Sequence, residues 1–201
     1  MHLVVGTLAQ KKAMKRQRLL DAAYDLFQTK GAESTTIDEI ARQAQVAKGT
    51  FYLYFRDKKA ILDALVFDIC HKVFRDACEN VLASHRTDSL TENIIQVVDY
   101  IIDYFKRDPL TLSVLCRNFG WRPILEVELG KSDDPLLQHL QVAIRSNPAM
   151  AHRSEAEVIN LIYVLMEMVG SVCYASIIEH APDNIDNMKP VLYEVIRKSL
   201  G

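Results

Sequence analysis

The sequence predicts an all-α protein of about nine helices. An amino-terminal three-helix domain with a helix-turn-helix, residues 1–56, precedes a larger helical body, residues 57–201. Three observations predict this. Apolar residues recur at i, i+3, i+4 and i+7 through almost every segment. The 201 residues include only seven Gly and six Pro, most of the Pro lying between those apolar runs, which disfavours a turn-rich β fold. Thr36 with Glu39, and Ser154 with Glu157, each form the reciprocal capping signature that opens a helix. With 49% hydrophobic residues the chain has ample material for a packed core.

The first helix is expected from about Ala13 to Thr29. Leu19, Ala22, Ala23, Leu26 and Phe27 form its apolar stripe, and Lys30-Gly31 supplies a basic last turn and a left-handed stop. Ahead of it, Lys11, Lys12, Lys15, Arg16 and Arg18 read as a basic leader, a flexible arm able to follow phosphates or enter a minor groove. The second helix starts at the Thr36 cap and buries Ile37, Ile40, Ala41 and Ala44. Gln45-Val46 forms the turn. The third helix, about Ala47 to Tyr54, is too short to be stable alone. Phe51 and Phe55, four residues apart, pin it by packing, which leaves Lys48, Gly49, Thr50, Tyr52 and Tyr54 to face outward.

Asp57 caps a long fourth helix from Lys58 that fades near Ser84-His85. A fifth covers Ser89 to Lys106, and Asp108-Pro109 starts a short helix reaching about Phe119. A further helix spans about Arg122 to Arg145, with a loop near residues 130–135, and ends at Asn147-Pro148. The Ser154 cap opens a helix apolar on nearly all sides through Ile178. The last helix runs from about Asn184 to Ser199, with Pro190 in its first turns.

Charge and chemistry narrow the function classes. Net charge is −2, but residues 1–60 carry eleven Lys/Arg against six Asp/Glu (+5), and the rest thirteen against twenty (−7). A basic amino-terminal third on an acidic body points to a local polyanion contact. Cys70, Cys78, Cys116 and Cys173 form no C-x-x-C pair and lie in apolar runs, as buried free thiols of a reducing cytosol do. The six His have no metal spacing, Glu126 and Glu128 do not converge on a helix, and there is no Gly-rich phosphate loop or nucleophile elbow. No catalytic residue, metal or cofactor is assigned, and an enzyme is not expected. Met1 to Gln10 lacks the charged start of a signal peptide. Val158 to Ile178 is apolar enough to weigh as a membrane span, but Glu167 at its middle is costly in lipid. A helix buried on two sides of a cytoplasmic protein fits better.

The first 62 residues resemble the TetR family of bacterial transcriptional regulators. The likeness runs through Arg18-Leu19-Leu20-Asp21-Ala22-Ala23, Leu26-Phe27, Lys30-Gly31, Thr35-Thr36-Ile37, Ile40-Ala41, Ala44, Val46, Lys48-Gly49-Thr50-Phe51-Tyr52, Tyr54-Phe55 and Lys58 to Leu62. Two positions depart from the family pattern. Gln45 stands where the family often has Gly, in a turn that strains a non-Gly residue by about 1 kcal/mol or less. Ala47 stands where a Ser or Thr often caps the next helix, a cap worth roughly 1 kcal/mol.

In a helix-turn-helix the second helix enters the major groove with its first residues nearest the bases. Lys48 is then the expected base reader, of guanine, and Gly49 lets the backbone approach closely. Thr50, Tyr52 and Tyr54 are phosphate-contact candidates, with Arg16 in the basic leader. Thr36 and Lys58 join them at helix starts whose free amides suit phosphate. The resemblance implies the same assignment.

One such unit reads few bases, so a homodimer on an inverted repeat of double-stranded DNA is expected. The last two helices offer its surface, through Met166, Gly170, Cys173, Ile177, Val191, Leu192 and Val195. The resemblance also implies a pocket in the body for a small effector, with Phe67, His71, Tyr104, Asn118 and Trp121 as candidate lining. The expected function is a sequence-specific repressor released by a small, largely apolar effector. The alternatives are the same fold acting as an activator or with a protein partner, and a helical carrier with a vestigial DNA module.

Overall fold

The computed structural model describes residues 7–84, 87–118 and 142–201. Among them there is no strand. The chain forms two compact units, Met1–Asp68 and Ile69–Gly201, with the division inside the long helix α4 (Lys58–Ser84).

The first unit holds α1 (Leu8–Lys30), α2 (Ile37–Gln43), α3 (Lys48–Tyr52) and the start of α4. Helix α1 begins five residues before the sequence reading placed it. Thr7 and Gln10 form a reciprocal capping box, and nothing between Leu8 and Lys30 breaks the helix. The basic leader is therefore corrected: from Leu8 onward it is exposed helix, not a flexible arm. Gly31 ends α1 at φ +82°, its amide donating to the Phe27 carbonyl. Leu19, Leu20, Ala23, Phe27, Ile40, Ala41, Phe51 and Ile61 fill the core. Burying each of the larger side chains is worth about 1.5–3 kcal/mol, and this compensates for α2 and α3 being only seven and five residues long.

The second unit holds the remainder of α4, α5 (Leu90–Arg107), α6 (Pro109–Asn118), a 3-10 turn Pro148–Met150, α7 (Glu155–Tyr174) and α8 (Ile185–Leu200). Ser89 caps α5, Asn147 the 3-10 turn, Ser154 and Glu157 α7, and Asn184 α8. The predicted helix over residues 122–145, with its loop, lies outside the described residues except for its last turn, 142–145. Helix α7 packs against α5, α6 and α8. It then widens into a π-helical turn, Ala175–Glu179, that the sequence did not announce.

The segment Glu155–Ile177 is long and apolar enough to cross a membrane by length and composition. Its fully buried residues lie along one face, half-buried residues flank them, and Asn160, Val164 and Ser171 are exposed. Val158, Val169, Gly170 and Cys173 face inward, while Leu161, Ile162, Leu165 and Met166 are half-buried and Val164 is 58% exposed.

A charged seam joins α5 to α8. Arg197 pairs with Glu92, Lys189 with Asp99 and Asp103, and Lys106 with Asp186; the Tyr193 hydroxyl donates to Asp99. Partial burial works against ionised Asp99, yet the hydrogen bonds from Lys189 and Tyr193 hold its carboxyl below the usual range. Burial and the same Asp99 contact push the Tyr193 hydroxyl well above its ordinary pKa.

Candidate nucleic-acid interface

The interface is built by a turn and two anchors. Helix α2 ends in a Schellman motif: the Val46 amide donates to the Ala41 carbonyl (2.9 Å) and the Gln45 amide to that of Arg42 (3.1 Å). The motif needs a left-handed residue, and Gln45 supplies it at φ +55°. The Arg18 guanidinium donates to the Gln45 carbonyl and side-chain oxygens, at 3.4 and 3.3 Å, which ties the turn back to α1. Ala47 then starts α3 with no side-chain cap.

Phe51 and Phe55 fix the angle of α3. They are 0% and 5% exposed, with ring centroids 5.8 Å apart. Packing Phe51 inward turns Lys48, Gly49 and Tyr52 outward; Tyr52 is 50% exposed with its ring edge-on to Phe51. Thr50 and Tyr54 are half-buried, and Tyr54 lies in the turn after α3 rather than within it. A Cβ added at Gly49 would meet nothing within 4 Å, so the fold itself leaves that place open.

Thr36 sits at the start of α2, its hydroxyl accepting from the Glu39 amide while Glu39 bonds back to the Thr36 amide and hydroxyl. Hydrogen bonds from Lys30 and Thr36 hold the Glu39 carboxyl down at about 2, so it is ionised throughout the physiological range. Lys58 starts α4, but its ammonium donates to the carbonyls of Ala32 (2.6 Å) and Glu33 (3.0 Å), anchoring the α1–α2 loop. That leaves its backbone amide, at the helix start, for an anion. Asp57 caps the same helix through the Ala60 amide. Arg16 lies over the Phe55 ring, 5.6 Å from its centroid, and pairs with Asp68 at 3.5 Å.

Two residues on this surface were not singled out in the sequence. Leu53 is 77% exposed beside Tyr52, a large apolar side chain of the kind that meets a thymine methyl. Its place two residues from each of the buried anchors was the available signal. Asp38, in the first turn of α2, pairs with Lys48 at 2.8 Å. Nothing local in the sequence announces a contact ten residues apart across a turn.

The body candidates are spread out. Phe67 falls in the first unit, and His71 and Tyr104 in the second, all half-buried. The Asn118 side chain and Trp121 lie outside the described residues, as does the Cys116 thiol; Cys70, Cys78 and Cys173 are buried. Of the expected dimer residues, Cys173, Gly170 and Leu192 are buried within the chain. Cys173 and Leu192 therefore belong to its own core. Val191 (56% exposed) and Val195 (39%) face out, and Met166 and Ile177 are half-buried.

Residues 19–65 match the family model described as bacterial regulatory proteins of the tetR family. An uncharacterized HTH-type transcriptional regulator of Bacillus subtilis, YdgC, is 28% identical over 103 residues, covering 50% of this chain and 52% of that protein. The match thus spans about half the length of that relative. Among solved structures, a TetR-family transcriptional regulator from Streptomyces coelicolor superposes with a TM-score of 0.68 at 21% identity, covering 93% of this chain and 98% of that one. The Bacillus subtilis regulator FadR, solved in complex with stearoyl-CoA, superposes at 0.55 with 16% identity, covering 90% and 96%. These likenesses establish the all-α fold, and the match over residues 19–65 gives the chain an amino-terminal domain similar to that of the tetR family of bacterial regulatory proteins.

Proposed function

We propose that the protein is a sequence-specific DNA-binding transcriptional regulator, acting in the cytoplasm as a homodimeric repressor on an inverted repeat. The observation that carries this reading is the outward face of α3. It offers one cation, one glycine with nothing beside it and exposed Tyr52 and Leu53, held rigid by two buried Phe. Lys48 reads a base edge, guanine O6 and N7. Tyr52, Tyr54, Thr50 and the starts of α2 and α4 at Thr36 and Lys58 contact phosphates and set the register. Arg16 follows the backbone from α1.

The dimer is supported by the exposed apolar residues of the last two helices. Val164, Val191 and Val195, with half-buried Met166 and Ile177, offer a surface that a four-helix bundle of two chains would cover. A small, largely apolar effector in the body is supported by the fold shared with a regulator solved with stearoyl-CoA. Its binding would bias the protein between two arrangements of the recognition helices. The test is a reporter placed under the promoter of the protein's own gene. The reading predicts repression that is lost in Lys48→Ala and relieved by an apolar effector. Activation by the wild-type protein would reverse the sign.

A further inference from the structure

We infer that Asp38 is a specificity-determining residue of this interface: it holds the Lys48 ammonium so that the cation addresses base edges rather than phosphates. The inference rests on the reading of α3 as the helix that enters the groove. Asp38 Oδ2 lies 2.8 Å from Lys48 Nζ, and both side chains are more than half exposed. The pair sits on the face turned toward DNA, where each partner has a cost to explain. Lys48 is the first residue of α3, at the positive end of the helix dipole, which disfavours a cation. A carboxylate on that face repels a polyanion. Asp38 itself is well placed as an acidic residue in the first turn of α2.

The chemistry gives the arrangement a use. A lysine is a point charge on a flexible four-carbon stem, and unrestrained it can settle on any nearby phosphate. An ammonium has three donors. One is held by Asp38, which leaves two for guanine O6 and N7. The carboxylate also carries a second oxygen, an acceptor suited to a cytosine amino group. Asp38 and Lys48 together present a donor and an acceptor side by side, while the negative charge discourages binding to DNA in general. The same hydrogen bond raises the Lys48 pKa above its ordinary value.

The experiment selects binding sites for the full-length wild-type chain from a randomised duplex pool. The winning duplex and a random one are then titrated at several salt concentrations with wild type, Asp38→Asn and Asp38→Ser. Both substitutions suit the first turn of a helix, and circular dichroism checks that each variant folds. The expected result is tighter random-DNA binding in both variants, with a log–log salt slope steeper by about 0.9 as Lys48 gains a phosphate. The preference for the selected duplex falls about tenfold, the scale of one lost base contact. An unchanged preference with an unchanged slope overturns the role of Asp38 and leaves the interface standing. Failure of the wild type to select any sequence overturns the interface reading and this inference together.

Discussion

Replacing Gly49 by Ala should move stability and DNA binding in opposite directions. Gly49 is the second residue of α3, its φ is not in the left-handed region, and a Cβ there meets nothing within 4 Å. The folded chain therefore accepts the methyl without strain, and the unfolded chain loses freedom. Such a change is worth about 0.4–1 kcal/mol of added stability. For a chain of this size 1 kcal/mol moves the melting temperature by roughly 2–4 °C. On DNA the methyl projects from the helix face that must approach the groove floor. The backbone is pushed away and Lys48 loses its reach, a loss on the order of 1–3 kcal/mol if one base contact goes. The assay is a thermal melt together with titration of a selected duplex. Gly49→Ala should melt slightly higher and bind about tenfold more weakly. Unchanged affinity would refute the claim that this backbone approaches DNA. A clear fall in melting temperature would refute the claim that the fold leaves the position open.

Other substitutions test the turn and the seam. Gln45→Gly should relieve the left-handed strain while keeping the Arg18 contact to the backbone carbonyl. A gain of about 0.5–1 kcal/mol in urea unfolding is expected, and a loss of that size would mean the side-chain contact with Arg18 outweighs the strain. Ala47→Ser should add the missing cap of α3, raising stability by about 0.5–1 kcal/mol; no change by the same measurement would show that α3 is held by packing alone. The carboxyls of Glu39, at about 2, and of Glu92, Asp99 and Asp186 all lie below their ordinary values in the folded chain. The folded chain therefore binds fewer protons than the unfolded one as pH falls. Stability should be full above the ordinary carboxylate range, near 4, and should decline progressively toward pH 2. Asp99→Asn should flatten part of that decline in pH-dependent melting, and an identical pH profile would remove Asp99 from the account.

Most of the fold was legible because its signals are local. The capping boxes at Thr36 and Ser154 and the start of α4 at Lys58 are where the sequence predicts them. The strained Gln45 and the uncapped Ala47 were predicted from two departures from a family pattern, and the structure has both features. The early start of α1 was also legible: Thr7 and Gln10 are three apart, the spacing already used at Thr36, but the lysines that follow read more naturally as an arm. The rest depends on contacts between distant residues. The bond from Lys58 to the α1–α2 loop, the Arg18–Gln45 contact, and the seam pairing Glu92 with Arg197 and Asp99 with Lys189 join positions from 25 to 105 residues apart. Apolar periodicity carries no information about them. Cys173 and Leu192, expected at the dimer surface, lie in the chain's own core for a related reason. A helix apolar on several sides does not declare which side its own chain covers, and here the chain covers those residues itself.

The central claim is that the face of α3 reads DNA sequence, and quantitative titration of a selected inverted-repeat duplex against random duplex at moderate salt tests it most directly. The account predicts a strong preference for the selected duplex, one dimer bound per repeat, and a preference that collapses in Lys48→Ala and weakens in Tyr54→Phe. If no genomic fragment or selected duplex binds the wild-type protein better than random DNA, the claim is wrong.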